Sequence, residues 1–127
     1  MKKNIIYTAF IFMIALSATG CYRDVLLPDT VVDPDGPPQF VSYKEELSPM
    51  FNDKCATSGC HVTGAHKPYL TPDISYNQIV GGGFVNIEIP KESILYKAIY
   101  GEMSEYIPSA EDKQKVYDWI RNGAPNN

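Results

Sequence analysis

The sequence predicts an all-α fold, a small bundle of three to four short helices that follows an extended leader. Three observations carry this. Beyond residue 40, apolar residues recur at intervals of three and four in several separate stretches. Two of these open with a serine that has an acidic residue three positions on, Ser42 with Glu45 and Ser109 with Asp112, an arrangement that satisfies free N–H groups at a helix start. No stretch alternates apolar and polar residues in the manner of a half-buried strand, and no internal repeat is present.

The first helix is expected from Ser42 to about Lys54, with Tyr43, Leu47, Met50 and Phe51 on its inner side. Pro49 removes one backbone donor within it, so a kink or a late start near Ser48 is expected. A short second helix spans Ser75 to Val80 and is ended by Gly81-Gly82-Gly83. A third starts after Pro90, places Ile94, Leu95, Ala98 and Ile99 on one face, and stops at Gly101. In the fourth, Ser109 caps the start, Val116, Tyr117, Trp119 and Ile120 form the apolar stripe, and Gly123 with Pro125 terminates it. Phe51, Tyr117 and Trp119 are expected to join the first and last helices.

The N-terminus is not part of this fold. Lys2 and Lys3 precede an apolar run from Ile5 to Leu16, too short to cross a hydrocarbon layer, and Ala18-Thr19-Gly20 then leads directly into Cys21. Residues 1–20 therefore read as a lipoprotein signal peptide, with Cys21 as the site of lipid attachment and first mature residue. Residues 21–39, rich in Pro and Asp, read as a disordered tether, and residues 40–127 as one domain. With Lys2 and Lys3 removed, 9 basic side chains face 15 acidic ones, a mature net charge of 9 − 15 = −6. Such a surface argues against nucleic acid and favours a basic partner. A domain this small often depends on a cofactor, a metal or disulfides for part of its core.

Lipidation of Cys21 leaves Cys55 and Cys60 as the remaining thiols, in the segment Cys55-Ala56-Thr57-Ser58-Gly59-Cys60-His61. A c-type haem is attached where two cysteine sulfurs add across the porphyrin vinyl groups and an adjacent histidine binds the iron, usually with the spacing C-x-x-C-H. Here the spacing is C-x4-C-H, so two extra residues must bulge away from a rigid macrocycle, and Ser58-Gly59 supplies that freedom. Other chemistries compete for these residues. A Cys55–Cys60 disulfide would close a small loop in an oxidising compartment. A zinc ion could recruit Cys55, Cys60, His61 and His66, although adjacent ligands at 60 and 61 would strain the backbone. A disulfide oxidoreductase would want C-x-x-C beside a βαβ pattern, and neither is present.

A cytochrome also needs a sixth iron ligand from a separate segment. Of the methionines, Met50 and Met103 survive processing. Met50 lies on the helix leading into the cysteine motif, whereas Met103 lies in the loop before the last helix and is the candidate distal ligand. His66 is its rival, but five residues of chain from His61 span at most about 17 Å, nearly all of which a route around the macrocycle would use.

The chain resembles the class I cytochrome c superfamily, and within it small bacterial haem domains with an expanded C-x4-C-H motif. The matching stretches are Val41-Ser42-Tyr43-Lys44 through Pro49-Met50-Phe51, the segment Cys55 to His61, Ile94-Leu95-Tyr96, and Trp119-Ile120-Arg121-Asn122-Gly123-Ala124-Pro125, so the resemblance runs from about residue 40 to the end. It implies a cytochrome c-like bundle around one covalent haem c, held through Cys55 and Cys60, with His61 as proximal ligand and a methionine as distal ligand. The chain departs from the related pattern at the distal side: where those domains often carry Met-Pro-Pro, it has Ile107-Pro108, and the available methionine is Met103.

With His61 and Met103 both on the iron, no coordination position is open to a substrate, and the expected function is one-electron transfer rather than catalysis. The expected partner is a redox protein, and the expected location is the cell envelope, lipid-anchored at the periplasmic face of the outer membrane or at the cell surface. Two readings from other classes compete. One is a haem sensor or peroxidase-like domain with an open distal position; the other is a non-haem accessory lipoprotein stapled by a disulfide.

Overall fold

Residues 33–127 are described by the computed structural model, and they are helical, with no strand among them. The signal peptide, Cys21 and the first part of the tether lie outside the described residues. No helix among the described residues is long and apolar enough to cross a membrane.

Ser42 opens the first helical segment with its side chain accepting from the Glu45 N–H at 3.2 Å. The reciprocal bond comes from Glu46 rather than Glu45: the Glu46 carboxylate accepts the Ser42 N–H at 2.9 Å. The reason is the width of the first turn: residues Tyr43–Leu47 wind as a π-helical turn, in which the Ser48 N–H reaches back five residues to the Tyr43 carbonyl. The chain then tightens into helix α1, Ser48–Lys54, with Pro49 in its first turn where a missing N–H does no harm. Pro49 thus divides the helix near Ser48, as its position in the sequence predicts.

A second π-helical turn, Asn77–Gly81, runs into the glycine triplet and takes in its first residue, and a single 3-10 turn, Pro90–Glu92, leads into helix α2, Ile94–Tyr100. Helix α3, Ala110–Arg121, begins with Ser109 accepting from the Asp112 N–H at 3.3 Å. It ends where Gly123 takes φ = +87°, letting the Ala124 N–H bond the Trp119 carbonyl at 2.9 Å and the Gly123 N–H bond the Ile120 carbonyl at 3.0 Å.

The core forms where these elements meet. Trp119 is fully buried, its ring 5.2 Å from that of Tyr43, which in turn packs on Tyr76 and Phe51. Leu47, Ile79, Ile107, Val116 and Ile120 close around them. Tyr117 does not take part in that junction. It points to the other side of α3, against Tyr96 at 5.1 Å, and Tyr96 stacks on Tyr100. The C-terminal tail returns to the first turn, where Asn127 accepts the N–H of Lys44 through its backbone (2.9 Å) and that of Tyr43 through its side chain (2.8 Å). These are donors that a helix start leaves without intrahelical partners.

Helix α3 is buried on two sides because the end of the Pro/Asp-rich stretch lies along it. Gln114, Tyr117, Asp118 and Arg121 recur at helical spacing and hold residues 34–39. Arg121 donates to the carbonyls of Gly36 (2.6 Å) and Pro34 (3.2 Å), Gln114 donates to Pro34, and the Gln39 N–H donates to Asp118 at 3.1 Å. Lys91 pairs with Asp35 at 2.7 Å. The packed polypeptide therefore begins several residues before position 40, and the last part of the stretch read as a disordered tether is a strap on the domain.

Candidate functional site

Helix α1 delivers Cys55 to one wall of a cavity of about 450 Å³. Cys60, His61 and Met103 line the same cavity, so the four residues named from sequence as cofactor ligands come together. Cys21 lies outside the described residues. His66 also lines the cavity, while Met50 does not and packs instead against the core. The remaining wall is mostly apolar: Phe51, Leu70, Ile79, Phe84, Leu95 and Ile107.

The cysteine segment owes its shape to backbone hydrogen bonds. The Cys60 N–H donates to the Thr57 carbonyl (3.0 Å) in a tight turn whose third residue, Gly59, has φ = +82°, a conformation that glycine adopts without penalty. The His61 N–H then donates to the Cys55 carbonyl (3.1 Å), closing the bulge. Both extra residues of the expanded spacing are absorbed in this turn.

The His61 ring is oriented by the loop that follows. Its Nδ1 lies 3.0 Å from the Pro68 carbonyl oxygen and 3.3 Å from that of His66. Carbonyl oxygens only accept, so Nδ1 carries the proton, and in the neutral ring Nε2 keeps its lone pair. This is the tautomer of a histidine that binds a metal through Nε2. The loop is itself held in place by the Leu70 N–H donating to the His61 carbonyl at 2.8 Å.

Both cysteines are free thiols, and burial pushes the Cys55 thiol up to about 11, with Lys54 opposing and Cys60 adding to the shift. A thiol so disposed is protonated at neutral pH, the opposite of the low-pKa nucleophile of a disulfide oxidoreductase. No three His, Cys, Asp or Glu side chains among the described residues converge as donors to a bare metal ion, so the four-residue zinc set is not assembled.

Across the cavity, α2 contributes Ile94, Leu95, Ala98 and Ile99, and the following loop brings Met103, whose N–H bonds the Ala98 carbonyl at 2.9 Å. Tyr106 sits at the mouth, its hydroxyl raised in pKa by the Glu105 carboxylate beside it and further by the nearby Cys60 thiol. The two loops therefore face each other across the opening. Sequence reasoning did not find Ile79, Phe84 or the Pro68 carbonyl. The two side chains carried no signal beyond hydrophobicity, and a backbone carbonyl carries none.

Comparison with protein-family models, with curated proteins and with solved structures finds no match.

Proposed function

We propose that this protein is a monohaem c-type cytochrome that carries single electrons, anchored by lipid at Cys21 in the cell envelope. The observation that carries the reading is the His61–Pro68 hydrogen bond, which presents a lone-pair nitrogen on the wall of a largely apolar cavity shared with two free thiols and a thioether. The donor set suits a haem: Cys55 and Cys60 would form the thioether attachments, His61 would bind the iron through Nε2, and Met103 would supply the distal sulfur. A volume of about 450 Å³ falls in the range of small-molecule sites, generally about 300–1,000 Å³. When bound, haem supplies a reversible one-electron iron couple.

The chain's own residues set the conditions for that couple. The Pro68 carbonyl fixes the His61 tautomer and the orientation of its ring. Leu70, Ile79, Phe84 and Ile107 give the cavity an apolar lining, and an apolar setting with a thioether ligand favours the reduced state. The test is an absorption spectrum of the chain, made in a host with cytochrome maturation, after denaturation and reduction in pyridine. A haem c spectrum that survives denaturation is expected; a colourless chain whose intact mass is polypeptide and lipid alone would overturn the proposal.

A further inference from the structure

The peptide that joins Pro68 to Tyr69 is gripped at both edges. Its carbonyl oxygen lies 3.0 Å from His61 Nδ1, and its N–H donates to Gln78 Oε1 at 3.4 Å. A backbone N–H only donates, so it is the oxygen of the Gln78 amide that faces it. A trans peptide is planar, with C=O and N–H on opposite edges, so a side chain that catches the N–H also fixes where the carbonyl points. Gln78 and His61 thus act on one peptide group from opposite sides.

The holder is itself anchored in the core. Gln78 is half-buried in the π-helical turn Asn77–Gly81, and its N–H bonds the Ile74 carbonyl at 3.0 Å. Its neighbour Ile79 is fully buried on the cavity wall. Just before the turn, the buried Ser75 hydroxyl accepts from the Tyr43 hydroxyl at 2.8 Å, and the Tyr76 hydroxyl donates to the Ala124 carbonyl at 3.0 Å. The second acceptor near His61 Nδ1, the His66 carbonyl at 3.3 Å, belongs to an exposed residue. Two carbonyls therefore compete for one Nδ1–H, and the closer is the one that Gln78 ties to the core.

We propose that Gln78 is a positioning residue: through the Pro68–Tyr69 peptide it selects the Pro68 carbonyl over that of His66 as the acceptor for His61, and so sets the ring orientation from which Nε2 meets a bound iron. The inference rests on the haem reading and deepens it, adding to the site a side chain that does not line the cavity. A neutral amide suits the task, since its oxygen accepts without bringing a charge beside the histidine. Hydrogen bonds in series also reinforce one another, as each polarises the next group.

Hydrogen exchange followed by NMR tests this on the full chain, made with cytochrome maturation and held in its reduced, diamagnetic form. In the unaltered chain the Tyr69 amide is expected to exchange about tenfold more slowly than that of Lys67, which has no acceptor among the described residues. Gln78→Met keeps the length of the side chain and removes the acceptor. The Tyr69 amide and His61 Nδ1–H are then each expected to exchange about fivefold faster, the factor carried by one ordinary hydrogen bond. Gln78→Glu keeps an oxygen at the same reach and is expected to bring both rates back to within about twofold of the parent. The Ser75 amide, bonded to the Thr71 carbonyl at 2.9 Å, is expected to be unmoved in either variant, which separates this effect from general loosening. Should the methionine variant fail to fold, Gln78→Ala repeats the deletion with a smaller side chain. A Tyr69 amide as fast as that of Lys67, rates indifferent to loss of the acceptor, or a Gln78→Glu chain no better than Gln78→Met overturns the proposal. The pyridine spectrum of the same sample keeps the two ideas apart. In a chain that proves haem-free, Tyr69 and His61 protons released by Gln78→Met leave the positioning role standing and overturn the carrier. A haem-bearing chain whose His61 Nδ1–H ignores that variant overturns the positioning role alone.

Discussion

The carboxylate of Asp118, 3% exposed, receives the backbone N–H of Gln39 at 3.1 Å, a contact between residues 79 positions apart. The same carboxylate accepts from Gln114 at 2.9 Å and from Arg121 at 3.3 Å. One side chain therefore joins α3 to the strap and satisfies three donors. Asp118→Ala would leave the Gln39 N–H without its acceptor and remove the charged partner of Gln114 and Arg121, which keep only the Pro34 and Gly36 carbonyls. The expected loss is about 2–3 kcal/mol, measured by urea unfolding, with Gln39 amide exchange becoming fast. Unchanged exchange at Gln39 would show that the strap stays docked without Asp118.

Tyr43 gives a pH dependence of known sign. Burial pushes its hydroxyl up to about 12, opposed by the 2.8 Å hydrogen bond to Ser75, from an ordinary value near 10.0. The folded state thus holds the proton more tightly than the unfolded chain. This contribution is complete below pH 10 and is lost as pH rises from about 10 through 12. Tyr43→Phe should flatten stability over that alkaline window, as read from denaturation midpoints at several pH values. An alkaline slope identical to that of the parent would assign the loss to other groups.

Gly59→Ala isolates a backbone effect in the cysteine turn. A Cβ at this position meets no atom within 4 Å, so the only penalty is the left-handed conformation at φ = +82°. A loss of about 1 kcal/mol is expected from the midpoint of chemical denaturation, with an unchanged denaturant slope.

The two axial candidates differ in what their removal does to the loaded protein. Met103→Ala should abolish the far-red iron–sulfur charge-transfer band while covalent attachment through Cys55 and Cys60 persists. His61→Ala should leave the thioether bonds possible yet remove the low-spin spectrum, because its Nε2 has no replacement on that wall other than His66, whose chain position is set by its N–H bond to the Cys60 carbonyl (2.9 Å). A Met103→Ala protein that retains the far-red band would take Met103 off the iron.

Features fixed within a few residues were legible in the sequence. Ser109 with Asp112, Gly123 with Pro125, and the discontinuity at Pro49 each follow from local hydrogen-bonding needs, and each occurs where the residues indicate. The capping partner of Ser42 shifts from Glu45 to Glu46 because the winding of the first turn depends on what packs against it. Longer-range features were hidden. Tyr117 reads like a member of the apolar stripe, yet its ring lies under the strap against Tyr96 and near the Arg121 guanidinium at 5.1 Å. Nothing in the composition of residues 34–39 distinguishes a docked segment from a free one, since the deciding groups are side chains of α3 more than seventy positions away. The cavity follows the same division: the Cys-x4-Cys-His segment is local, whereas the convergence of Met103, Ile79 and Phe84 on it is set by how the helices pack.

With the proposed lipid at Cys21, the fastening of residues 34–39 would also set how far the domain can travel. Six residues laid along a helix are withdrawn from the leash, shortening its greatest span by roughly 19 Å at about 3.1 Å per extended residue. A carrier held at Cys21 would then patrol a thinner shell above its membrane, and would meet partners mainly among proteins seated in the same bilayer or lying close upon it.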